Sequence, residues 1–300
     1  MSEKELDRVE VMGRVKGRDL KLRDAAVLLG VSYRQAKRIQ RRYREGGAVG
    51  LKHGNAGQRS HRAKPLALRQ EILQLVRDHY GGRVGQRFGP TLAAEHLERE
   101  QGRKVHAETL RRWMLAEGLW SRRRKRPAAR QRRERKEHFG EMVQLDGSPH
   151  AWLEERGPRG CLMDMVDDAC SVGEIRMEEQ ETIWGAVRVL RRWIQRYGVP
   201  LALYVDGKNV YVREPTAQER MSGQPPLTQF GRMCAELGIG MITAHSPQAK
   251  GRVERAHGTH QDRLVKQLRL KNITTHEAAN RFIEQQYLAE HNQRFGKAAA

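Results

Sequence analysis

The sequence predicts a multidomain protein in which all-α helix-turn-helix modules precede an α/β domain, a mixed five-stranded sheet flanked by helices. Residues 1–120 contain helix-length amphipathic runs separated by glycine turns. Residues 139–295 alternate short apolar strands with helix-length runs, which is typical of an α/β domain. Charge divides the chain at the same place, with 36 Lys/Arg against 16 Asp/Glu in residues 1–140 and 21 against 20 in residues 141–300.

The net charge of +21 therefore lies almost entirely in the N-terminal part of the chain. Such an excess favours a nucleic-acid partner, because cations that contact phosphates release counterions. General solubility is the alternative, but it seldom requires so one-sided a distribution.

Residues 22–45 predict the first helix-turn-helix module. An apolar helix is interrupted at Gly30, and Ser32 can cap the helix that follows. The second helix of such a module enters the major groove of DNA. Its polar face supplies the expected DNA contacts, which are Arg34, Gln35, Lys37, Arg38 and Arg41. The alternative is a helical hairpin with a solvated basic face.

Residues 66–120 predict a second, winged-helix-like module of the same kind, in which Arg111 and Arg112 point outward from the candidate recognition helix. The predicted domains are residues 1–50 and 66–120 for the two modules, 139–295 for the α/β domain and 296–300 for a tail. Basic linkers occupy residues 51–65 and 121–138.

Composition excludes several other classes of protein. Three cysteines, Cys161, Cys170 and Cys234, fit no paired metal spacing and are expected to be core residues. No apolar run is long enough to span a membrane, and no secretory signal is evident. We therefore expect a cytoplasmic, nucleoid-associated protein.

Three carboxylates stand at the ends of predicted elements. Asp146 and Asp206 each end a short apolar strand and precede a glycine, and Glu254 lies in the first turn of a predicted helix. Three hard oxygen ligands at one sheet edge suit Mg²⁺. By itself Glu254 is more readily explained as a partner of the helix dipole.

Other carboxylates are expected to be outside the site. Asp167 and Asp168 are predicted to be solvated turn residues, and Asp164 to lie within a strand. Glu178, Glu179 and Glu181 precede a helix and are predicted to be dipole partners.

The segments LDGSPH, YVDGKNVY and SPQAKGRVERAHGTHQDRL resemble the three catalytic blocks of DDE transposases and retroviral integrases. Within that superfamily, residues 139–295 resemble the integrase core of bacterial insertion-sequence transposases of the ISNCY type. Asp146 and Asp206 are 60 residues apart, and Asp206 and Glu254 are 48 apart. The second interval is longer than in many relatives and predicts an insertion at residues 221–226.

The resemblance implies an RNase H-like fold and two-metal phosphoryl transfer with Mg²⁺ or Mn²⁺, two ions being expected. Asp146 is implied to bridge both ions, while Asp206 and Glu254 each complete one site. The candidates for contacting DNA near the metals are Lys208, Asn209, His245, Lys250, Arg252 and Arg255. Some relatives carry a lysine that holds donor DNA where this chain has Gly258 or Gln261. That contact is expected to pass to Arg255 or Arg263, or to be weaker.

The implied function is that of a transposase. It binds the terminal inverted repeats of an insertion sequence, acts on double-stranded target DNA, and works as a homo-oligomer because two ends must be joined. A non-catalytic DNA-binding repressor derived from a truncated transposase is the alternative, and a general nuclease is a third hypothesis. Relatives usually continue into a small basic β domain, whereas this chain ends at Ala300, so we expect a natural short form, a pseudogene product or a fragment.

Overall fold

The computed structural model forms two compact units, Met1–Gln70 and Glu71–Ala300. It describes residues 1–57, 63–83, 85–121, 134–207, 211, 213, 215, 220–221, 226–244 and 251–299. The finer division into modules and linkers stays a prediction. Most of the predicted insertion, and the linker around residues 122–133, lie outside the described residues.

The first unit is a three-helix module. It comprises α1 (Glu3–Lys16), α2 (Leu22–Leu28), α3 (Tyr33–Gly46) and a short 3₁₀ turn (Val49–Leu51). The module closes on a small core of Met12, Ala25, Ile39 and Leu51. Gly30 adopts a left-handed φ of 58° between α2 and α3, a conformation that glycine reaches without strain. The Ser32 hydroxyl accepts a hydrogen bond from the Gln35 N–H at 3.2 Å, which confirms the predicted cap.

Three further helices precede the sheet: α4 (Leu66–Tyr80), α5 (Pro90–Gln101) and α6 (Ala107–Ala116). Pro90 occupies the first turn of α5, where no hydrogen bond from its nitrogen is needed. Gly102 ends that helix in the left-handed region. Helix α6 packs against α5 with Leu110 fully buried, as a helix-turn-helix module requires.

The α/β part contains one mixed sheet of five strands. They are β1 (Val143–His150), β2 (Gly160–Asp167), β3 (Gly173–Glu178), β4 (Ala202–Val205) and β5 (Gly240–Thr243), in the order β3-β2-β1-β4-β5. Strands β1, β2 and β3 are antiparallel, whereas β4 and β5 run parallel to β1. This arrangement confirms the predicted RNase H-like class.

Helices cover both faces of the sheet. On one face, α7 (Ile183–Tyr197) and α8 (Gln229–Glu236) bury a core that includes Val143, Leu145 and Met163. On the other face lie α9 (Gly251–Leu270), α10 (His276–Phe282) and α11 (Leu288–Phe295), with a π-helical turn at Ile283–Tyr287. All three cysteines are buried, as predicted.

Strand β1 is longer than predicted, because it continues through Asp146 to His150 instead of ending at the aspartate. Alternate side chains on a strand point to opposite faces. Val143 and Leu145 therefore face α7, while Gln144, Asp146 and Ser148 share the other face. Gln144 and Ser148 hydrogen-bond to α9, at the Val253 N–H and the Gln261 side chain.

Candidate metal and DNA site

Asp146 and Asp206 lie next to each other at one edge of the sheet. Strands β1 and β4 are parallel, and Gln144 pairs with Tyr204. Two residues further along each strand direction come Asp146 and Asp206, so the register itself places them side by side. Asp206 follows the last residue of β4, as predicted.

The third carboxylate of this group is Glu181. One ligand oxygen from each of Asp146, Glu181 and Asp206 lies within 4.8 Å of the others, and all three residues are half-buried. Glu181 was predicted to lie outside this group as a helix-dipole partner, and the structure instead places it beside the two aspartates. Glu181 directly precedes Thr182, the N-cap of α7, so the start of that helix holds it beside the two aspartates. No local sequence pattern indicated that Glu181 would lie beside Asp146 and Asp206.

Gly147 makes room for Glu181. A Cβ atom at position 147 would lie 2.7 Å from the Glu181 Cδ and 3.0 Å from the Cys161 Sγ. Real Cβ atoms do not tolerate the first of these distances. A larger residue directly after Asp146 would therefore displace the Glu181 carboxylate.

Tyr211 supports the same group. Its hydroxyl donates a hydrogen bond to the Glu181 Oε1 at 3.4 Å, and its ring packs edge-on against Phe230. Burial, together with the nearby charges of Glu181, Asp146 and Asp206, raises the pKa of Tyr211 above its ordinary value. The phenol therefore remains a hydrogen-bond donor. Tyr211 ends the block YVDGKNVY but was not among the predicted site residues.

Glu254 lies in the first turn of α9, as predicted, and its side chain is exposed. Among the described residues, the carboxylates close enough together to share one ion include Glu181 and do not include Glu254. The start of α9 is nevertheless fixed to β1, because the Val253 N–H donates to the Gln144 Oε1 at 3.2 Å. The role of Glu254 as a ligand stays a prediction.

Asp164 faces Asp146 directly across strands β1 and β2. Its side chain is 0% exposed, and burial and the neighbouring Asp146 raise its pKa well above the ordinary value. The Nε2 atoms of His257 and His260 both lie 3.6 Å from the Asp164 Oδ2. Burial lowers the pKa of His260 well below its ordinary value, so Asp164 and His260 meet as neutral groups instead of as an ion pair.

Asp167 and Asp168 are fully buried, so the prediction that they are solvated is wrong. Asp167 accepts backbone hydrogen bonds from Gly140 and Cys170, both at 2.8 Å. Asp168 accepts from the Gln144 Nε2 at 2.9 Å and pairs with the Arg252 Nη1 at 2.8 Å. The turn between β2 and β3 is covered by other segments, and its carboxylates tie these segments together.

The predicted DNA contacts fall into three groups. Those on α3 are all exposed and form one basic surface: Arg34, Gln35, Lys37, Arg38 and Arg41. On α6, Arg111 and Arg112 both pair with Glu108, and Arg112 remains the more exposed. In the third group, which was predicted to contact DNA near the metals, Arg255 is exposed and Arg252 is only 12% exposed, while Lys208, Asn209, His245 and Lys250 lie outside the described residues.

Arg263, one of the two residues expected to take over the contact with donor DNA, binds a carboxylate on another helix. Its guanidinium donates two hydrogen bonds to Glu95 on α5, at 2.6 and 2.9 Å. Its side chain is only 14% exposed. Because the ionic partner belongs to a helix far away in sequence, the spacing on α9 could not indicate this contact.

No described helix combines the length and hydropathy needed to cross a bilayer.

The chain is similar to two protein-family models and to two named transposases. Two family models described as homeodomain-like domains match residues 2–52 and 35–114. A Sinorhizobium fredii protein named "Putative transposase y4bF" is 38% identical over 98% of this chain and 63% of its own length. The transposase for insertion sequence IS1202 of Streptococcus pneumoniae is 29% identical over 91% of this chain and 64% of its own length. The chain thus spans slightly less than two thirds of either relative.

Solved structures with a similar core are more distant. One is the simian T-cell lymphotropic virus intasome in complex with a PP2A regulatory subunit, with 16% identity, a TM-score of 0.42 and coverage of 66% of this chain and 65% of the other. Another is the HTLV-2 integrase catalytic core domain with magnesium, with 19% identity, a TM-score of 0.37 and coverage of 49% and 88%.

The two transposase relatives extend over nearly all of this chain, and the homeodomain-like matches cover its helical part. The resemblance to DDE-type insertion-sequence transposases that three sequence blocks indicated is confirmed.

Proposed function

We propose that this chain is a DNA transposase that binds the terminal inverted repeats of an insertion sequence and catalyses metal-dependent strand cleavage and strand transfer. The observation that carries the proposal is the adjacent placement of Asp146 and Asp206, with a third carboxylate within 4.8 Å. Carboxylate oxygens suit Mg²⁺ and Mn²⁺, and three of them this close repel one another unless a cation lies between them. The likeness to two transposases supports the same function.

The residues have distinct tasks in this proposal. Asp146 and Asp206 hold the metal, and Tyr211 holds Glu181 against them through its hydroxyl. Bound Mg²⁺ or Mn²⁺, with two ions expected, supplies the positive charge that activates an attacking water or DNA 3′-hydroxyl and stabilises the leaving oxygen. No nucleophilic side chain is required, so the protein contributes by positioning and charge.

Two residues are candidates for the third ligand. The sequence block around Glu254 favours that residue, and the anchoring of α9 to Gln144 keeps its helix beside β1. The geometry of the described residues favours Glu181. We propose Glu254 as the catalytic ligand and Glu181 as a carboxylate that contacts the ion held by Asp146 and Asp206, and substitution of each can separate their contributions.

The helical part serves DNA binding in this proposal. The exposed basic face of α3 suits a major groove, since recognition helices of helix-turn-helix modules lie there. Arg111 and Arg112 on α6 supply the second contact. A homo-oligomer follows from the reaction, because two element ends must be held together with the target duplex.

The test is strand transfer of a labelled element-end duplex into a plasmid, with Mg²⁺ or Mn²⁺. Substituting a residue that supports a metal ligand already costs about 10–100-fold. We therefore expect Asp146→Asn, Asp206→Asn and Glu254→Gln each to lose at least about 100-fold, and Glu181→Gln to lose less. Glu179→Gln removes a neighbouring carboxylate that is not in the group and is the matched control.

Each other result has a clear meaning. Full activity of Glu254→Gln with loss in Glu181→Gln would transfer the ligand role to Glu181. DNA binding without cleavage by the wild type, on a duplex that carries the right ends, would contradict the enzyme and leave the repressor. Equal cutting of unrelated duplexes would indicate a general nuclease.

A further inference from the structure

A cavity of about 280 Å³ lies on the flank of α9, between the β2–β3 turn and the segment that follows α11. Four cationic side chains line it: Arg135, Arg252, Arg255 and Lys297. Ser171 and His291 add uncharged polar groups. None of the described residues that line the cavity carries a carboxylate.

Two of the cations are fixed in place. The Arg135 Nη1 donates to three uncharged oxygens, those of the Asp168 carbonyl at 3.3 Å, the Ala169 carbonyl at 2.7 Å and the Ser171 hydroxyl at 3.0 Å. Its positive charge is therefore oriented by the turn without being neutralised by it. Arg252 is held by the buried Asp168 at 2.8 Å.

The other two cations are exposed. Arg255 and Lys297 have no carboxylate within ion-pair distance in the described part of the chain. The segment that carries Lys297 is nevertheless anchored, because its backbone N–H donates to the Cys170 carbonyl at 2.8 Å. The cavity thus combines a fixed cationic wall with two accessible cations.

His291 gives a second, independent indication of a ligand. It is 7% exposed, and within the described residues its Nδ1 has no hydrogen-bond partner. Buried polar atoms are rarely left without a partner. Burial lowers the pKa of His291 to about 4, so the ring is neutral and can still offer one N–H to an anion.

We infer that this cavity binds a phosphate of the DNA backbone. The arginine and lysine donors of this cavity, with no carboxylate among its described lining residues, suit a phosphodiester, which accepts several hydrogen bonds at once. Arg252 and Arg255 flank Glu254 on α9, so a phosphate bound here lies close along the helix to the candidate catalytic carboxylate. The inference rests on the proposed function and deepens it, because it names a backbone contact that orients the substrate.

The test compares two double variants. Arg255→Gln with Lys297→Gln removes the two exposed cations of the cavity, and Lys271→Gln with Arg281→Gln removes two exposed cations outside it. Affinity for a duplex of unrelated sequence is measured by fluorescence anisotropy over a NaCl series. Each lost phosphate contact lowers the slope of log K against log salt by about 0.9. In the cavity variant we expect the magnitude of this slope to fall by about 0.9, or by about twice that if both cations contact phosphates. In the control variant we expect no change.

Lysine footprinting locates the contact. With bound duplex, acetylation of Lys297 should fall while that of Lys271 stays constant, and millimolar inorganic phosphate should not protect Lys297. Unchanged slope in the cavity variant, or a Lys297 that stays reactive on DNA, overturns the inference. Equal protection by inorganic phosphate also overturns it, because the cavity would then be a site for a free anion.

The same measurements separate this inference from the proposed catalysis. Asp146→Asn should retain the wild-type slope and the protection of Lys297, since the metal site is not part of the cavity. A wild type that shows the cavity-dependent slope but never cleaves an element end would contradict the proposed catalysis and leave the phosphate site intact.

Discussion

The Arg263 guanidinium donates two hydrogen bonds to the Glu95 carboxylate, at 2.6 and 2.9 Å, and so connects α9 to α5. Arg294 contacts the same carboxylate. A second ion pair, between the Arg99 Nη1 and the Glu290 Oε2 at 2.8 Å, joins α5 to α11. These charged pairs join α5 to α9 and to α11.

Glu95→Gln should weaken this contact. Hydrogen bonds to charged groups contribute about 1.5–3 kcal/mol each, and Glu95 and Arg263 are 23% and 14% exposed. We expect a loss of about 1–3 kcal/mol in urea unfolding and faster proteolysis of residues 85–121. Glu98→Gln, which affects only an exposed pair with Lys104, should change neither. Equal behaviour of the two variants would contradict the structural role.

The contribution of Glu95 should depend on pH. Burial alone raises the pKa of Glu95, but the hydrogen bonds and charges of Arg263 and Arg294 outweigh it and leave the pKa below its ordinary value. A carboxyl with a lowered folded pKa stabilises the fold above its unfolded pKa, and this stabilisation disappears as the pH falls through the folded value. The difference in stability between wild type and Glu95→Gln should be constant from pH 8 to about 5 and should shrink below about pH 4.3.

Gly147→Ala should disturb the proposed metal site without replacing any of its carboxylates. The added methyl would meet Glu181 at 2.7 Å and force that side chain to move. Groups that position metal ligands typically contribute about 10–100-fold to metal affinity, so Mn²⁺ binding measured by calorimetry should weaken by at least about 10-fold. Gly258→Ala, with nothing within 4 Å of the new Cβ, is the control and should bind normally. Normal Mn²⁺ binding by Gly147→Ala would show that Glu181 does not contact the ion.

Asp164→Asn should stabilise the protein at neutral pH once metal has been removed by a chelator. The folded pKa of Asp164 is raised, so the folded state must keep a proton that the unfolded chain releases above about pH 3.9. The wild type should lose stability relative to the variant as the pH rises above that value. Each pKa unit corresponds to about 1.4 kcal/mol, so the gain at pH 8 should reach at least about 1 kcal/mol in urea unfolding.

Asp167→Asn, only three residues away, should have the opposite effect. Asp167 is equally buried but accepts two backbone hydrogen bonds, from Gly140 and Cys170. Weakening these should cost about 1–3 kcal/mol at pH 8 in the same assay. Stabilisation by both substitutions would show that burial alone, without the hydrogen bonds, governs these two aspartates.

The sequence by itself determined most of the helices and strands, and it determined that Asp146 and Asp206 would lie together at one edge of the sheet. The spacing of apolar residues, together with the glycine and proline residues between them, places Ser32 at a helix cap, Asp206 at the end of β4 and Glu254 in the first turn of α9. These are local properties, because a cap, a strand end and a helix turn depend on a few neighbouring residues. The three blocks LDGSPH, YVDGKNVY and SPQAKGRVERAHGTHQDRL also carried the resemblance, since a match of this kind depends on the order of residues along the chain.

Only the tertiary structure decided which charged groups meet. Glu181 approaches Asp146, Arg263 pairs with Glu95, and Asp168 is buried against Arg252. Each of these contacts joins residues tens to more than a hundred positions apart. Whether a carboxylate is solvated, protonated or paired depends on the segment folded over it, and a short sequence window does not contain that segment.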